Sequence, residues 1–199
     1  RNPLGPDMGD VRVLRGGSSI DDLVKSRVFY RNYTSPNVCR KFNGFRLSLS
    51  YRKDMFIQKQ SVKNEKQPLL FNIKGVQFKM VYIAGGMFSM GATRGDKDMY
   101  ENEVPQHNVM LDSYYMGEVE VTQALWYAVM DVNPSSFQGE SRPVENVSWD
   151  DCQVFIKKLN ELSGYKFSLP TEAQWEFAAR NNGDYKYSGS DKVESVAFF

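Results

Sequence analysis

Histidine and cysteine are scarce in this sequence of 199 residues, and their scarcity excludes several kinds of metal site. The single histidine, His107, cannot supply the several imidazole ligands of a multi-histidine iron or zinc centre. The two cysteines, Cys39 and Cys152, are far apart and fit no metal-binding spacing. Two unpaired thiols are therefore expected, with a disulfide as the alternative, and no metal site is predicted.

An excess of charge and a long apolar run are missing as well. The 25 Lys and Arg residues nearly balance the 24 Asp and Glu residues, and the net charge of +1 gives no field that attracts nucleic acid. No apolar run reaches the roughly 18 to 20 residues that a transmembrane helix needs. We therefore expect no nucleic-acid partner and no transmembrane segment, and the sequence leaves the localisation open.

What is present is material for a folded core, because 41% of the residues are hydrophobic. Phe45, Leu47 and Leu49 alternate with polar residues, which predicts a half-buried strand. Residues 54–74 are rich in Lys and Gln and predict a linker. After Gly75, alternating apolar residues interrupted by Gly85-Gly86 predict a strand, a tight turn and a second strand.

The sequence predicts the first residues of three helices further along the chain. Thr122, Ser148 and Thr171 are candidate N-caps, and the last two precede Asp151 and Gln174 at capping-box spacing. The period of the second helix predicts a buried face, on which Cys152 acts as a small core residue. The residues expected on the buried faces are Val154, Phe155, Leu159 and Leu162 in the second helix and Trp175, Ala178 and Ala179 in the third.

Several long motifs in the later part of the sequence resemble those of a known family. The stretches "FKMVYIAGGMFSMG", "YYMGEVEVTQALWYAVM", "NPSSF", "RPVENVSWDDCQVFIKKLN" and "FSLPTEAQWEFAAR" occur between residues 75 and 199. Together they resemble the N-terminal half of a formylglycine-generating enzyme, or sulfatase-modifying factor, domain of the gut-bacterial type. The resemblance implies an α+β fold of the C-type-lectin-like class.

The opening of the chain resembles the end of the same domain. "NPLGPDMGDVRVLRGGSS" and "GFRLSL" are similar to the family's C-terminal run and its last strand, so the two halves stand in reversed order. No stretch matches the family's middle section. We interpret residues 1–53 as the end of one copy and residues 75–199 as the start of the next in a tandem array, with a circular permutation as the alternative. The halves could pack as one unit if "GFRLSLS" pairs with "FKMVYIA".

The family resemblance implies a copper-dependent cysteine oxidase that holds its copper through two cysteines. Val28 stands where the second cysteine belongs, and Ser18–Ser26 contains no cysteine for the first. A soft copper(I) site requires thiolates, so no catalytic residue is assigned to this chain. Structural calcium is also implied, but the family's ligands fall mainly in the absent section. The acidic residues Asp96, Asp98, Glu101 and Glu103 fit no 12-residue calcium loop and predict a solvated loop.

The stretch between Gly17 and Gly44 is the candidate binding surface. The resemblance implies that this part of the domain faces a ligand, and it is rich in the tyrosine, arginine and asparagine of adaptable recognition surfaces. An alternative is that Arg27 and Tyr30 hold loops together at the rim of the core. The candidate ligand-binding residues are Arg27, Tyr30, Asn32, Tyr33 and Arg40.

The sequence therefore predicts a non-catalytic module that binds a protein or glycan ligand or serves as a scaffold. The resemblance favours the envelope or exterior of a bacterium. The alternative is a formylglycine-generating oxidoreductase, which requires that the complete protein supply the missing section and its cysteines.

Overall fold

The computed structural model describes residues 9–18, 20–51, 66–92, 95–180 and 183–196. The described residues form two compact units, and both strands and helices contribute to them, which confirms the predicted α+β class. The first unit draws on Arg1–Pro36, Gly86–Leu111 and Thr171–Phe199, and the second on Asn37–Gly85 and Asp112–Pro170. The strands are β1 (Arg12–Leu14), β2 (Asn32–Thr34), β3 (Ser48–Ser50), β4 (Leu69–Ile73), β5 (Val76–Ile83), β6 (Gly86–Met90), β7 (His107–Leu111), β8 (Tyr114–Gly117) and β9 (Phe167–Ser168), and the helices are α1 (Gln123–Met130), α2 (Trp149–Ser163) and α3 (Glu172–Arg180).

A five-stranded antiparallel sheet organises the second unit, in the order β4-β5-β8-β3-β9. β3, from the opening part of the chain, thus shares a sheet with strands from the later part. The expected direct pairing of β3 with β5 is wrong, because β8 lies between them: Leu49 faces Tyr115, and Tyr115 faces Tyr82.

The predicted linker is wrong over its last part. Leu69–Ile73 forms β4 and pairs along its whole length with β5, from Leu69 opposite Met80 to Ile73 opposite Val76. Phe71 and Ile73 are buried and alternate with exposed residues, which is the pattern of a half-buried strand. The pattern is short, and the Lys- and Gln-rich residues before it dominate the composition of the segment. Residues 54–65 of the predicted linker lie outside the described residues.

The core of the second unit is apolar and rich in aromatic rings. Phe155 of α2 is fully buried and stacks on Trp126 of α1, with ring centroids 5.0 Å apart and planes 2° apart. Phe45 meets both rings edge-on, at 6.0 Å from Trp126 and 5.6 Å from Phe155. These rings join the inner face of the sheet, including Leu47 and Leu49, in a single buried cluster.

The buried face of α2 follows the i, i+3, i+4, i+7 spacing. Its members are Cys152, Phe155, Ile156 and Leu159, so the core role predicted for Cys152 is confirmed. The prediction is wrong for Val154 and Leu162, which are 48% and 50% exposed. Val154 lies on the opposite side of the helix from this stripe, and Leu162, three residues after Leu159, lies in the last turn of α2.

The three predicted N-caps are confirmed. Thr122 Oγ1 accepts a hydrogen bond from the Leu125 N–H at 3.3 Å. Ser148 and Asp151 form a reciprocal capping box, and so do Thr171 and Gln174, whose backbone N–H groups each donate to the other's side chain.

The first unit contains two short antiparallel ladders, β1-β2 and β6-β7, together with α3. β5 and β6 are both present as predicted on either side of Gly85, but β6 pairs with β7 and β5 pairs with β4 and β8. Phe177 of α3 contacts Phe88 of β6 edge-on at 5.2 Å. The predicted buried stripe of α3 is wrong, since Trp175, Ala178 and Ala179 are half-buried and the buried residues are Ala173, Gln174, Glu176, Phe177 and Arg180.

Candidate functional site

Most of the predicted binding surface lies in one part of the first unit. β1 and β2 pair so that Val13 faces Tyr33 and Leu14 faces Asn32, and residues 15–31 connect the two strands. Arg27, Tyr30, Asn32 and Tyr33 belong to this segment, whereas Arg40 belongs to the second unit. The structure thus brings four of the five candidate residues into one segment.

Two glycines allow the chain to leave β1. Gly16 and Gly17 have φ values of +91° and +65°, a conformation that residues with a Cβ adopt at a cost. A Cβ on Gly16 would lie 2.9 Å from the Trp175 ring, and a Cβ on Gly17 would lie 2.9 Å from the Lys25 carbonyl oxygen. The two glycines therefore serve close packing as well as backbone conformation.

Arg15 anchors the start of the connection. Its guanidinium donates to the Glu176 carboxylate and to the carbonyl oxygens of Val28 and Phe29, at 3.1 and 3.2 Å for the two carbonyls. The same guanidinium lies 5.2 Å from the centre of the Trp175 ring. Glu176 is itself buried, so one acidic residue of α3 holds the backbone of the connection through Arg15.

Arg27 lies inside the unit, with 0% of its area exposed. Its two terminal nitrogens donate to the two carboxylate oxygens of Glu103 at 3.1 and 3.2 Å, and Nε donates to the Val24 carbonyl at 2.7 Å. The guanidinium also lies 4.9 Å from the centre of the Phe29 ring. The expected placement of Arg27 on a ligand-facing surface is therefore wrong, and the alternative of a residue that holds loops together describes its position.

Tyr30 is also buried, at 8% exposure, and meets the ring of Tyr100 edge-on at 5.7 Å. Burial raises the pKa of its hydroxyl. Arg31 follows and forms a two-bond contact with Glu172 of α3, at 2.7 and 2.8 Å, and a third bond to the Asn102 carbonyl at 2.8 Å. Arg15, Arg27 and Arg31 thus each tie the connection to a glutamate from elsewhere in the unit.

Tyr33 and Val13 form the outward face of the β1-β2 ladder. They lie directly opposite each other and are 62% and 38% exposed. Val11, at 47% exposure, lies next to β1, and we name Val11, Val13 and Tyr33 the β1-β2 face. Asn32 is half-buried on the other side of the ladder. Its side-chain oxygen accepts a hydrogen bond from the Tyr33 N–H at 2.8 Å, so Asn32 contacts the backbone of β2 and is not part of the β1-β2 face.

Arg40 is exposed in the second unit. Its backbone forms an antiparallel bridge with Val147, and its carbonyl accepts the Asn146 N–H at 3.0 Å. Within the described ranges its guanidinium has no hydrogen-bond or ion-pair partner, so the side chain is available for a ligand.

The thiols of the chain do not fit the copper site that the family resemblance implies. Val28 is 1% exposed and packs with Phe29 and Ala92 in a small apolar cluster. Burial raises the pKa of Cys152 to about 12, and burial together with the Asp151 carboxylate raises the pKa of Cys39. Cys152 lies on the buried face of α2 and Cys39 lies 3.6 Å from the Asp151 carboxylate, so neither thiol stands where the resemblance places the copper ligands.

The acidic loop is less solvated than expected. Lys186 pairs with Asp98 at 2.7 Å and with Asp96 at 3.5 Å, and Glu103 is buried against Arg27. Burial raises the pKa of Glu103. No cluster of three or more His, Cys, Asp or Glu side chains that could hold a metal occurs among the residues that the structure covers.

His107 lies at the start of β7 and is exposed. Its Nδ1 lies 3.0 Å from the Pro105 carbonyl, a local contact with a residue two positions earlier in the chain. No helix within the described part of the chain combines the length and apolar character that a membrane crossing needs.

Sequence reasoning missed the three glutamates that hold the surface segment. Glu103, Glu172 and Glu176 are far from their arginine partners along the chain, by 76, 141 and 161 residues. The sequence offered no signal for Glu176, because the predicted buried stripe of α3 did not include it.

One family model matches most of the later part of the chain. The family model described as "Sulfatase-modifying factor enzyme 1-like domain" matches residues 72–198. The chaperone protein LppX of Paenibacillus barcinonensis is 32% identical, over 60% of this chain and 52% of LppX. The serine/threonine-protein kinase pkn1 of Chlamydia pneumoniae is 24% identical, over 70% of this chain and 24% of the kinase. The chain thus spans about half the length of LppX and about a quarter of the kinase.

A solved structure resembles the fold. Treponema denticola variable protein 1 superimposes with a TM-score of 0.54 at 29% identity, over 65% of this chain and 62% of that protein.

Proposed function

This chain belongs to the sulfatase-modifying factor enzyme 1-like family and has its C-type-lectin-like fold, and from that premise we propose that it is a non-catalytic ligand-binding module. The proposal rests on Val28, an apolar residue at the position where the family resemblance places a copper-binding cysteine. Val28 is buried in an apolar cluster where the resemblance places a cysteine. The names of two similar proteins, a chaperone and a variable protein, support a role other than cysteine oxidation.

The proposed binding surface is the β1-β2 face. Its side chains project from a segment that three arginine-glutamate contacts hold in place, at Glu103, Glu172 and Glu176. A fixed backbone lowers the entropy lost when a ligand binds, and an exposed tyrosine offers a large contact area at little cost in side-chain freedom. The partner is a protein or a glycan.

A comparison of two tyrosines tests this surface. We would screen the protein against a peptide display library and a glycan array, then repeat the screen with Tyr33→Ala and with Tyr127→Ala. Tyr127 is 58% exposed on α1 and serves as the matched control for Tyr33, which is 62% exposed. We expect specific binding that Tyr33→Ala abolishes and Tyr127→Ala retains. Binding that both variants retain would contradict the proposed surface.

The second candidate function is a formylglycine-generating oxidoreductase, which family membership alone favours. It requires that regions outside this chain supply the thiolates, since the two cysteines here do not fit. Titration with copper(I) against a competing chelator distinguishes the candidates. We expect no tight stoichiometric binding. Tight binding by the complete protein that persists when both Cys39→Ser and Cys152→Ser are introduced, with oxidation of a cysteine-containing sulfatase peptide, would instead support the enzyme.

We also propose that residues 1–53 and 75–199 derive from consecutive copies of the domain in a tandem array. The motif order supports this origin, and the presence of β3 in the same sheet as β5, β8 and β9 supports packing of the two parts as one unit.

A further inference from the structure

Asn43 and Gly44 lie in the irregular stretch that precedes β3 in the second unit. Asn43 is half-buried and Gly44 is exposed. An asparagine followed by glycine is chemically labile, because the next backbone nitrogen can attack the side-chain amide and glycine has no Cβ to obstruct the approach. Glycine also gives the backbone the freedom that ring closure needs. The pair is therefore a candidate for covalent change without an enzyme.

Neither reacting group is held by a hydrogen bond. In the part of the chain that the structure describes, the Asn43 side-chain amide and the Gly44 N–H have no hydrogen-bond partner. The Asn43 N–H donates to the Arg40 carbonyl at 3.3 Å, which holds the turn before the pair and leaves the side chain free to rotate. Asn160 in α2 differs, since its side chain both donates to and accepts from the backbone of Phe167. The fold thus restrains the side chain of Asn160 but not that of Asn43.

Asn37 provides an internal comparison. It precedes Asn43 in the same stretch, it is exposed, and its side chain has no hydrogen-bond partner among the described residues. Val38 follows it, and a β-branched side chain crowds the nitrogen that would attack. The two asparagines thus differ mainly in the residue that follows each of them, and only Asn43 has an unhindered neighbour.

We propose that Asn43-Gly44 is a site of spontaneous deamidation, which converts Asn43 to aspartate and isoaspartate in the folded protein. The Gly44 backbone nitrogen forms a bond to the side-chain carbonyl carbon of Asn43, the bond from this carbon to Nδ2 breaks, and ammonia leaves with the proton of the Gly44 N–H. Water then opens the resulting cyclic imide. Opening at the side-chain carbonyl gives aspartate, and opening at the main-chain carbonyl gives isoaspartate. The reaction needs no ligand, so it goes beyond the proposed function.

The surroundings of Gly44 determine what this change does to the fold. A Cβ on Gly44 would lie 3.4 Å from the Val144 carbonyl oxygen and 3.7 Å from Glu120 Cγ, so the backbone here is already in close contact with its neighbours. The next residue, Phe45, accepts the Val121 N–H at 2.9 Å, and its ring belongs to the packing around the core. Isoaspartate adds a methylene group to the main chain before Gly44 and a negative charge close to Glu120. We therefore expect it to destabilise the second unit.

Ageing of the intact protein at physiological temperature and pH, followed by trypsin digestion and mass spectrometry, tests the site. Trypsin cleaves after Lys and Arg, so Asn43, Asn37 and Asn182, which also precedes a glycine, fall in three different peptides: Phe42–Arg46, Asn32–Arg40 and Asn181–Lys186. Because asparagine is thermolabile, we expect the mass of Phe42–Arg46 to rise by about 1 Da with time. The product should separate into an aspartate and an isoaspartate form on chromatography, while Asn32–Arg40 stays unchanged.

Variants separate the reaction from its consequence. Asn43→Gln should abolish the mass gain, because glutamine would have to form a larger ring, and Gly44→Ala should slow it. The nearest atom to a Cβ at position 44 lies 3.4 Å away, so the alanine fits the fold. Asn43→Asp carries the new charge on an unaltered main chain. We expect the aged protein to unfold at a lower temperature than both Asn43→Asp and an equally aged Asn43→Gln.

The isolated peptide Phe42–Arg46 gives the rate of the reaction without a fold. A mass gain in both the peptide and the intact protein supports the proposal. A gain in the peptide alone would mean that the folded backbone prevents ring closure, and equal gains at Asn37 and Asn43 would mean that the glycine is not the cause; either result overturns the proposal. An aged protein as stable as aged Asn43→Gln would overturn the expected effect on the second unit. Binding at the β1-β2 face plays no part in these measurements, so this inference and the proposed function fail independently.

Discussion

The interiors of the two units are stabilised by different kinds of contact. The second unit has one large apolar cluster in which sheet residues meet the rings of Phe45, Trp126 and Phe155. The first unit has a small apolar cluster around Val28 and Phe29, and much of its interior consists of arginine-glutamate contacts. Apolar packing tolerates many sequences, whereas a buried ion pair fails when one partner is lost. The first unit thus depends more on specific ionic contacts than the second.

The largest expected effect is in the apolar core. Phe155→Ala removes a fully buried ring stacked on Trp126, and we expect the free energy of unfolding to fall by about 4 kcal/mol. Urea unfolding measures the change, and hydrogen exchange should place it in the second unit. Val154→Ala, at a 48% exposed position on the same helix, is the control and should change stability by less than about 0.5 kcal/mol. Similar losses for both variants would contradict the assigned face of α2.

Breaking one buried ion pair should rank next. Arg27→Met leaves the Glu103 carboxylate buried without its partner, and we expect a loss of about 3 kcal/mol at neutral pH. The double variant Arg27→Met with Glu103→Leu should recover most of this loss, because no charge then remains buried. A double variant as unstable as the single one would mean that packing of the arginine stem, and not its charge, stabilises the first unit.

A smaller, pH-dependent effect is expected at the start of α2. Hydrogen bonding from Ser148 lowers the pKa of Asp151, so the ionised carboxylate stabilises the folded state above its ordinary pKa of 3.8. This contribution is lost as the pH falls through the lowered pKa of the folded state. We expect Asp151→Ala to cost about 1 kcal/mol at pH 7 and progressively less below pH 3.8. Thermal unfolding of both proteins across that range measures the difference, and a constant difference would argue against the capping role.

The smallest effect on stability is expected at the β1-β2 face. Tyr33→Ala truncates a ring that is 62% exposed, so the free energy of unfolding should change by less than about 0.5 kcal/mol. Thermal unfolding checks this value, and Tyr30→Ala, at a buried position three residues earlier, should cost clearly more. A large loss for Tyr33→Ala would show that this tyrosine stabilises the unit and is not held ready for a ligand.

Local patterns in the sequence were sufficient to predict the helix starts and several strands. Ser148 with Asp151 and Thr171 with Gln174 are contacts between residues three apart, so their spacing is sufficient to predict them. β4 escaped prediction because five strand residues follow a long polar stretch that dominates the composition. Leu162 was assigned to the core by period alone, but it lies in the last turn of α2 and is half exposed.

The candidate site was predictable only in outline. The segment with exposed Tyr33 was identified from its residue types, but Arg27 and Tyr30 in the same segment are buried. Nothing local distinguishes Arg27 from Arg40, since an arginine is buried only when a carboxylate reaches it. For Arg27 that carboxylate is Glu103, 76 residues away.

The sequence by itself determined the family, the α+β class and the three helix N-caps, and it showed that position 28 holds a valine and not a cysteine. Each of these depends on residue identity or on contacts a few residues apart. The tertiary structure alone decided which arginines are buried, that β8 lies between β5 and β3, and that Glu145 keeps one oxygen without a donor among the described residues. These features depend on residues that are distant in the chain and meet only after folding.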